Sequence, residues 1–148
     1  MRIHILNRRR TRTPRARSLR ARIAAILAAV GRGDAELSVV FAGDAEIAAL
    51  NRQWRGKEGP TDVLAFPQAE GEFADVTPAL LGDVVISVDT AARQAKAAGH
   101  TLARELDILL THGILHLAGY DHEQGPREAR RMRAKERRVA SLLAGMKD

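Results

Sequence analysis

Three histidines in the last third of the chain have the spacing of a metal site. His112 and His116 are four residues apart, and His122 follows after Gly119. Residues four apart on a helix lie on one face with Cβ atoms roughly 6 Å apart, which suits two nitrogens of one metal ion. A glycine can take the left-handed conformation that ends a helix, so the chain can return His122 to the same ion. Three neutral imidazoles with an open fourth position are typical of a catalytic zinc site.

Two other interpretations of these histidines bear on the function. A helical pair can arise by chance or as packed core side chains, although the third histidine after a glycine argues against that. The spacing is also almost that of the zinc peptidases, H-E-x-x-H-x-x-G-x-x-H, in which the glutamate after the first histidine is the general base. Gly113 takes that place here. We therefore expect one zinc ion, or another divalent metal, on His112, His116 and His122, and a hydrolase of peptides or small molecules remains an alternative.

The composition limits the classes of protein to consider. A chain of 148 residues with 45% hydrophobic content predicts one domain over residues 1–148. The chain has no cysteine, which excludes disulfides, thiolate zinc sites and cysteine nucleophiles. No apolar run approaches the roughly 18 residues that span a bilayer, and the N-terminus lacks the apolar core of a secretory signal. We expect a soluble, cytoplasmic protein with no membrane partner.

Positive charge is concentrated at the N-terminus. The net charge is +6, and residues 1–33 hold ten arginines and no acidic residue. Eight of these arginines lie between Arg8 and Arg22, and we call them the N-terminal arginines. Such a run can bind a polyanion such as RNA or can be a solvated surface. With no acidic residue near them in sequence, we expect the N-terminal arginines to face solvent, and we assign RNA-backbone contacts to Arg9, Arg12, Arg15 and Arg17.

Apolar periodicity and breaker residues predict alternating strands and helices. Strands are predicted in RIHIL, AELSVVFA, DVLAFP and GDVVISV, and helices in LRARIAAILAAVG, DAEIAALNRQW, DTAARQAKAAG, residues 101–119 and REARRMRAKERRVASLLAG. Asp44 is placed as an N-cap, and residues 68–81 lack any period and predict a surface loop. The fold class is therefore α/β (α+β), a single domain with a roughly four-stranded mixed sheet, about five helices and the metal site on the helix at 101–119.

Further charged residues are candidates for binding or support. Arg55 and Lys57 lie on a glycine-bounded loop before a buried strand, where an arginine offers a planar fork for phosphate oxygens. Glu105 is either support for His112, two turns away, or an ion-pair partner. Glu136 falls on the apolar stripe of the last helix, which indicates an inward partner such as an arginine. His4 and His100 are interpreted as structural.

Several segments together resemble the YbeY family of bacterial endoribonucleases. Residues 112–122, HGILHLAGYDH, match the family signature H-G-x-L-H-L-x-G-Y-D-H at every fixed position. RGKEGPTDVLAFP resembles the second family motif, with Ala65 where serine is common, and GDVVIS resembles the third. GHTLARE and the pair Met132 and Glu136 also fit, so the resemblance runs from about Asn51 to Glu136. The N-terminal arginines are not part of it.

The resemblance implies a metal-dependent, single-strand-specific endoribonuclease, most often with zinc. Such enzymes act in ribosomal RNA maturation, notably at the small-subunit 3′ end, and in ribosome quality control. By the motif match, His112, His116 and His122 are the metal ligands of the catalytic centre, and Arg55 is the catalytic or RNA-binding arginine. The implied partners are single-stranded RNA, ribosomal RNA and the ribosome or its small-subunit proteins. A non-catalytic ribosome-assembly factor, whose metal only stabilises the fold, is the other alternative.

Overall fold

A computed structural model describes residues 2–9, 16–68, 80–121 and 124–146. In these ranges the chain forms four strands and five helices in the order that the sequence predicts. The strands are β1 (Arg2–Asn7), β2 (Glu36–Ala42), β3 (Val63–Pro67) and β4 (Leu80–Ser87), and the helices are α1 (Ala16–Ala29), α2 (Asp44–Arg55), α3 (Val88–Ala98), α4 (Leu102–Leu117) and α5 (Pro126–Ala144). No helix in these ranges is both long enough and apolar enough to cross a membrane.

The strands form one mixed sheet, which confirms the predicted fold class. Their order is β1-β2-β4-β3. Strands β1, β2 and β4 are mutually parallel, and β3 is antiparallel to β4 at one edge. The carboxyl ends of the parallel strands therefore meet at one end of the sheet, beside the start of β3.

Alternating side chains divide the core between the two faces of the sheet. Leu37, Val39 and Phe41 of β2 belong to the larger apolar cluster, to which α1, α3, α4 and α5 also contribute. Val40 and Ala42, on the other face of the same strand, pack with apolar residues of α2 in a smaller cluster. Helices α4 and α2 thus approach the sheet from opposite faces, and both end near the edge strand β3.

A polar network joins the carboxyl end of the sheet to the helices that follow it. The carboxylate of Asp44 accepts hydrogen bonds from the buried Ser87 hydroxyl (2.7 Å) and from Thr90 (2.6 Å), and it pairs with Arg93 at 2.9 Å. Partial burial raises the pKa of Asp44, but the hydrogen bonds from Thr90, Ser87 and Arg93 outweigh it and hold that pKa below its usual value. The amide of Asp44 donates to Asp89 (3.0 Å), which lowers the pKa of Asp89.

Two local predictions need correction. Asp44 is the first residue of α2 rather than its N-cap, which is Gly43, and its carboxylate is used by the polar network instead. Leu80 and Leu81 belong to β4 rather than to a loop, because they pair with or pack against the parallel core of the sheet. The rest of the predicted loop, residues 69–79, lies outside the described residues.

Candidate active site

Helix α4 carries His112 and His116 side by side. The helix begins after Thr101, whose hydroxyl accepts a hydrogen bond from the Arg104 amide, and residues four apart then share one face. The two imidazole rings have centroids 4.7 Å apart at an interplanar angle of 72°. The predicted placement of this pair on one helical face is confirmed.

Gly113 occupies the position of the peptidase glutamate, and the packing of helix α4 explains why this residue is a glycine. A Cβ atom at position 113 would lie 2.9 Å from Cγ1 of Val84 and 3.4 Å from Cγ2 of Val63. The helix therefore rests directly on β3 and β4 at this point, and any side chain would point into the sheet rather than toward the histidines. A glutamate at this position could not serve as a base without separating the helix from the sheet.

The chain reverses where the sequence predicts the end of the helix. The amides of Gly119 and Tyr120 donate to the carbonyls of His116 (3.1 Å) and Leu115 (3.0 Å). Gly119 has a φ of +99°, a conformation that other residues rarely adopt. His122 lies outside the described residues, and no three potential metal-binding side chains come together in the ranges that the structure covers. Ligation by His122 stays a prediction.

Arg55 reaches the same site from the opposite face of the sheet. It is the last residue of α2 rather than part of a loop, and Gly56, with a φ of +66°, turns the chain away after it. Its Nη2 donates to the carbonyl of Ala65 (2.6 Å), and its guanidinium lies 5.5 Å from the centroid of the Phe66 ring. Ala65 and Phe66, the partners of Arg55 among the described residues, are both uncharged. They therefore hold the guanidinium in place without neutralising it.

These side chains line one cleft of about 580 Å³. The cleft brings together Arg55, Lys57, His112 and His116, four of the residues that the sequence analysis selected. Asp121 is the one carboxylate among the described residues of its lining. Amide and hydroxyl groups complete the polar surface, from Asn51, Thr61, Tyr120 and Gln124. The arrangement suits an anionic substrate that presents a phosphoryl group to both the arginine and the histidines.

The N-terminal arginines have partners that the sequence analysis did not foresee. Arg8 pairs with Glu46 at 2.6 Å and Arg9 with Asp89 at 2.7 Å. Arg22, with only 11% of its side chain exposed, forms a two-pronged pair with Asp107 and donates to the Leu143 carbonyl (3.1 Å). The expectation of solvent exposure is confirmed for Arg8 and Arg9 and is wrong for Arg22. All three have acidic partners that the local sequence does not show, because the carboxylates come from residues 38 to 85 positions away.

Of the other three arginines for which RNA contacts are predicted, the structure describes only one. Arg17 is described and exposed on α1. Arg12 and Arg15 lie outside the described residues. A role of Arg12, Arg15 and Arg17 in RNA binding stays a prediction, whereas the ion pair of Arg9 with Asp89 argues against the contact predicted for Arg9.

Two glutamates have partners that settle open alternatives. Glu105 pairs with the Nε2 atom of His100 at 2.6 Å, so it is an ion-pair or hydrogen-bond partner and not direct support for His112. Glu136 has an inward partner, but that partner is His112, whose Nδ1 lies 3.6 Å from its carboxylate. The prediction of an arginine partner is wrong. The position of Glu136 on an apolar stripe was a sequence signal for an inward contact, but it could not identify the histidine.

Comparisons with known proteins cover almost the whole chain. The family model described as Endoribonuclease YbeY matches residues 4–144. A Geobacter metallireducens protein named endoribonuclease YbeY is 50% identical over 147 residues, which cover 97% of this chain and 96% of that protein. A protein of the same name from Aquifex aeolicus is 50% identical over 118 residues, with 80% and 77% covered.

The fold has a counterpart in a solution structure from Thermotoga maritima. That structure matches with a TM-score of 0.66 and 30% sequence identity, and the match covers 97% of this chain and 89% of the other. The family match and the level of identity over nearly the full length agree with the motifs around the cleft. The chain therefore belongs to the endoribonuclease YbeY family.

Proposed function

We propose that the chain is a zinc-dependent endoribonuclease that cleaves single-stranded RNA in the cleft between α4 and α2. The observation that carries the proposal is that His112, His116 and Arg55 line one cleft and that no described residue neutralises Arg55. A phosphodiester has the two features that this lining suits, a negative charge and an oxygen that a metal can polarise.

The side chains of the cleft fit a zinc ion. His112 and His116 present adjacent imidazoles to the same space, and imidazole nitrogen is the preferred zinc ligand where cysteine is absent. We propose His122 as the third ligand, since Gly119 begins the reversal that leads toward it. A bound zinc ion would supply Lewis-acid polarisation of a phosphoryl oxygen and activation of a nucleophile at neutral pH.

The residues around the ligands have distinct tasks. The carboxylate of Glu136 beside Nδ1 of His112 favours the tautomer that keeps a hydrogen there, which leaves Nε2 for the metal. Arg55 uses one Nη2 hydrogen for Ala65, so the rest of its fork can hold phosphate oxygens and offset the charge that develops during cleavage. Lys57 adds a second, more mobile cation to the same wall.

We further propose ribosomal RNA as the physiological substrate and ribosomal small-subunit proteins as neighbours in the cytoplasm. The support is the family membership together with the net charge of +6, which favours a polyanionic partner.

The test is cleavage of a defined single-stranded RNA by purified protein, after removal of metal by chelation and again after zinc is restored. Casein serves as a control for peptidase activity, and His116→Ala as a control for contaminating nucleases. We expect RNA cleavage that zinc restores, no casein cleavage, and a His116→Ala protein that is folded but has lost both metal and activity.

Each of the other outcomes would change the proposal in a different way. Cleavage of casein would favour the peptidase. A protein that binds metal and RNA but cleaves neither substrate would favour the assembly factor. Unchanged metal content in His116→Ala, measured by elemental analysis, would remove the histidine pair from the metal site.

A further inference from the structure

Aromatic side chains are rare in this protein, and three of the four that the structure describes lie in or beside the cleft. The sequence has one tryptophan, one tyrosine and three phenylalanines. Of these five residues, Phe73 falls outside the described residues. Phe41 is fully buried in the core. Tyr120 lines the cleft, while Trp54 and Phe66 lie together beside Arg55.

Trp54 is the most exposed of the large apolar side chains in the described ranges. It lies on the last turn of α2 with 62% of its surface accessible. Its ring meets Phe66 edge-to-face, with centroids 6.4 Å apart, and Arg55 lies over the same Phe66 ring at 5.5 Å. Phe66 therefore contacts both Arg55, which lines the cleft, and Trp54, which lies just outside it, while most of the Trp54 surface stays in contact with water.

We propose that Trp54 is a stacking platform for an unpaired RNA base next to the phosphate that Arg55 holds. Aromatic side chains beside a cationic groove bind single strands because every base has a face that can stack and every nucleotide has a phosphate. Trp54 and Arg55 are consecutive residues at the end of one helix, so a base and a neighbouring phosphate can be held together. The cations Arg55 and Lys57 on the same wall match an RNA occupant.

This inference deepens the proposed function and rests on it. Bases in a duplex are stacked on their own neighbours and turn their edges, not their faces, outward, so a duplex cannot use the platform. Trp54 would thus provide a physical reason for a preference for single-stranded RNA at the cleft. The same exposed ring could in principle meet a second protein, and the experiment separates that case.

The test uses the fluorescence of Trp54, which is the only tryptophan and so reports on this position alone. The full chain is titrated, with chelator present to stop cleavage, against a short single-stranded RNA, its duplex, and a single strand of equal length that lacks bases. We expect quenching that saturates with the single-stranded RNA only. Equal quenching by the strand without bases would overturn the inference, because it would report phosphate binding and not stacking.

Substitutions provide the second measurement. We expect Trp54→Ala to raise the KM for single-stranded RNA cleavage about tenfold with kcat nearly unchanged, and Trp54→Phe to keep KM within about threefold of the wild type, because a smaller ring still stacks. Leu142→Ala is the matched control, since Leu142 is 51% exposed on α5, and its KM should not change. Circular dichroism checks that each variant is folded.

The outcomes distinguish this inference from the proposed function. A wild type that cleaves RNA and a folded Trp54→Ala with the same KM would refute the platform but keep the nuclease. Base-dependent quenching in a protein that cleaves nothing would keep the platform and refute the nuclease. Quenching that follows protein concentration without RNA, together with a larger species in gel filtration, would assign Trp54 to a protein contact and overturn the inference.

Discussion

Arginine serves different purposes at the N-terminus and at the cleft. Arg9 and Arg22 are held by the carboxylates of Asp89 and Asp107, the first at the surface and the second in a partly buried pair, so both charges already have a partner within the protein. Arg55 is held by a carbonyl oxygen and an aromatic ring, which fix its position but leave its charge available. The number of arginines in a run therefore says less about RNA binding than the partners of each arginine.

The difference follows from the cost of separating charges. A substrate phosphate that approaches Arg22 would have to compete with Asp107 in a partly buried pair, whereas no described carboxylate forms an ion pair with Arg55. We therefore expect substitutions near the N-terminus to lower the free energy of unfolding, and substitutions in the cleft to lower activity.

Gly113 tests the close packing of helix α4 against the sheet beneath the cleft. Gly113→Val is expected to lower the free energy of unfolding by roughly 3 kcal/mol, because the added carbons would overlap the stiff side chains of Val84 and Val63. Urea denaturation measures this loss. Gly33→Val is the control, since a Cβ at Gly33 meets no atom within 4 Å, and an equal loss in both variants would show that close packing at 113 is not the cause.

Arg22 tests the stabilising side of the comparison. Arg22→Gln is expected to cost about 2 kcal/mol of unfolding free energy, since it leaves the partly buried carboxylate of Asp107 without its cation. RNA affinity of the folded variant should equal that of the wild type. A folded Arg22→Gln protein with normal stability but weaker RNA binding would reverse the roles that we assign.

Asp44 tests whether the polar network at the carboxyl end of the sheet stabilises the fold. Because the pKa of Asp44 is lower in the folded state, its contribution is present above the usual aspartate range, near pH 4, and is lost as the pH falls through the lower folded value. Asp44→Asn should therefore be about 1 kcal/mol less stable at pH 7, with the difference shrinking below about pH 4. A difference that stays constant across this pH range would assign the loss to packing instead.

The smallest effect concerns an exposed N-terminal arginine. If Arg17 contacts an RNA phosphate, Arg17→Gln should reduce the slope of log affinity against log salt by roughly 0.7, the value for one contact with a single strand. Arg22→Gln, on the same helix, should leave the slope unchanged because Arg22 is already paired. Equal slopes for the wild type and Arg17→Gln would identify the exposed arginine as solvated surface.

Features set by neighbours in sequence could be predicted. The start of α4 after Thr101 and its end before Gly119 depend on local capping, and the helical period alone placed His112 beside His116. The order of strands and helices likewise followed from periodicity and breakers. The end of α2 at Arg55 also had a local signal, because a glycine such as Gly56 readily adopts the left-handed conformation that ends a helix.

Features that depend on partners distant in sequence could not be predicted. The pairing of Arg22 with Asp107 joins residues 85 positions apart, and Glu136 meets His112 only because α5 packs against α4. The need for glycine at position 113 arises from the distance between α4 and the sheet, which no local pattern contains. The charge near the N-terminus can be counted from the sequence, but its partners are set by the tertiary fold.

The central claim is that the charge of Arg55 is used on RNA while that of the paired arginines is not. It is tested most directly by single-turnover cleavage of a defined single-stranded RNA by Arg55→Glu and Arg9→Gln, with metal content measured in both. We predict at least a hundredfold slower cleavage for Arg55→Glu, a rate within about twofold of the wild type for Arg9→Gln, and unchanged metal content. Cleavage by Arg55→Glu at the wild-type rate would contradict the account.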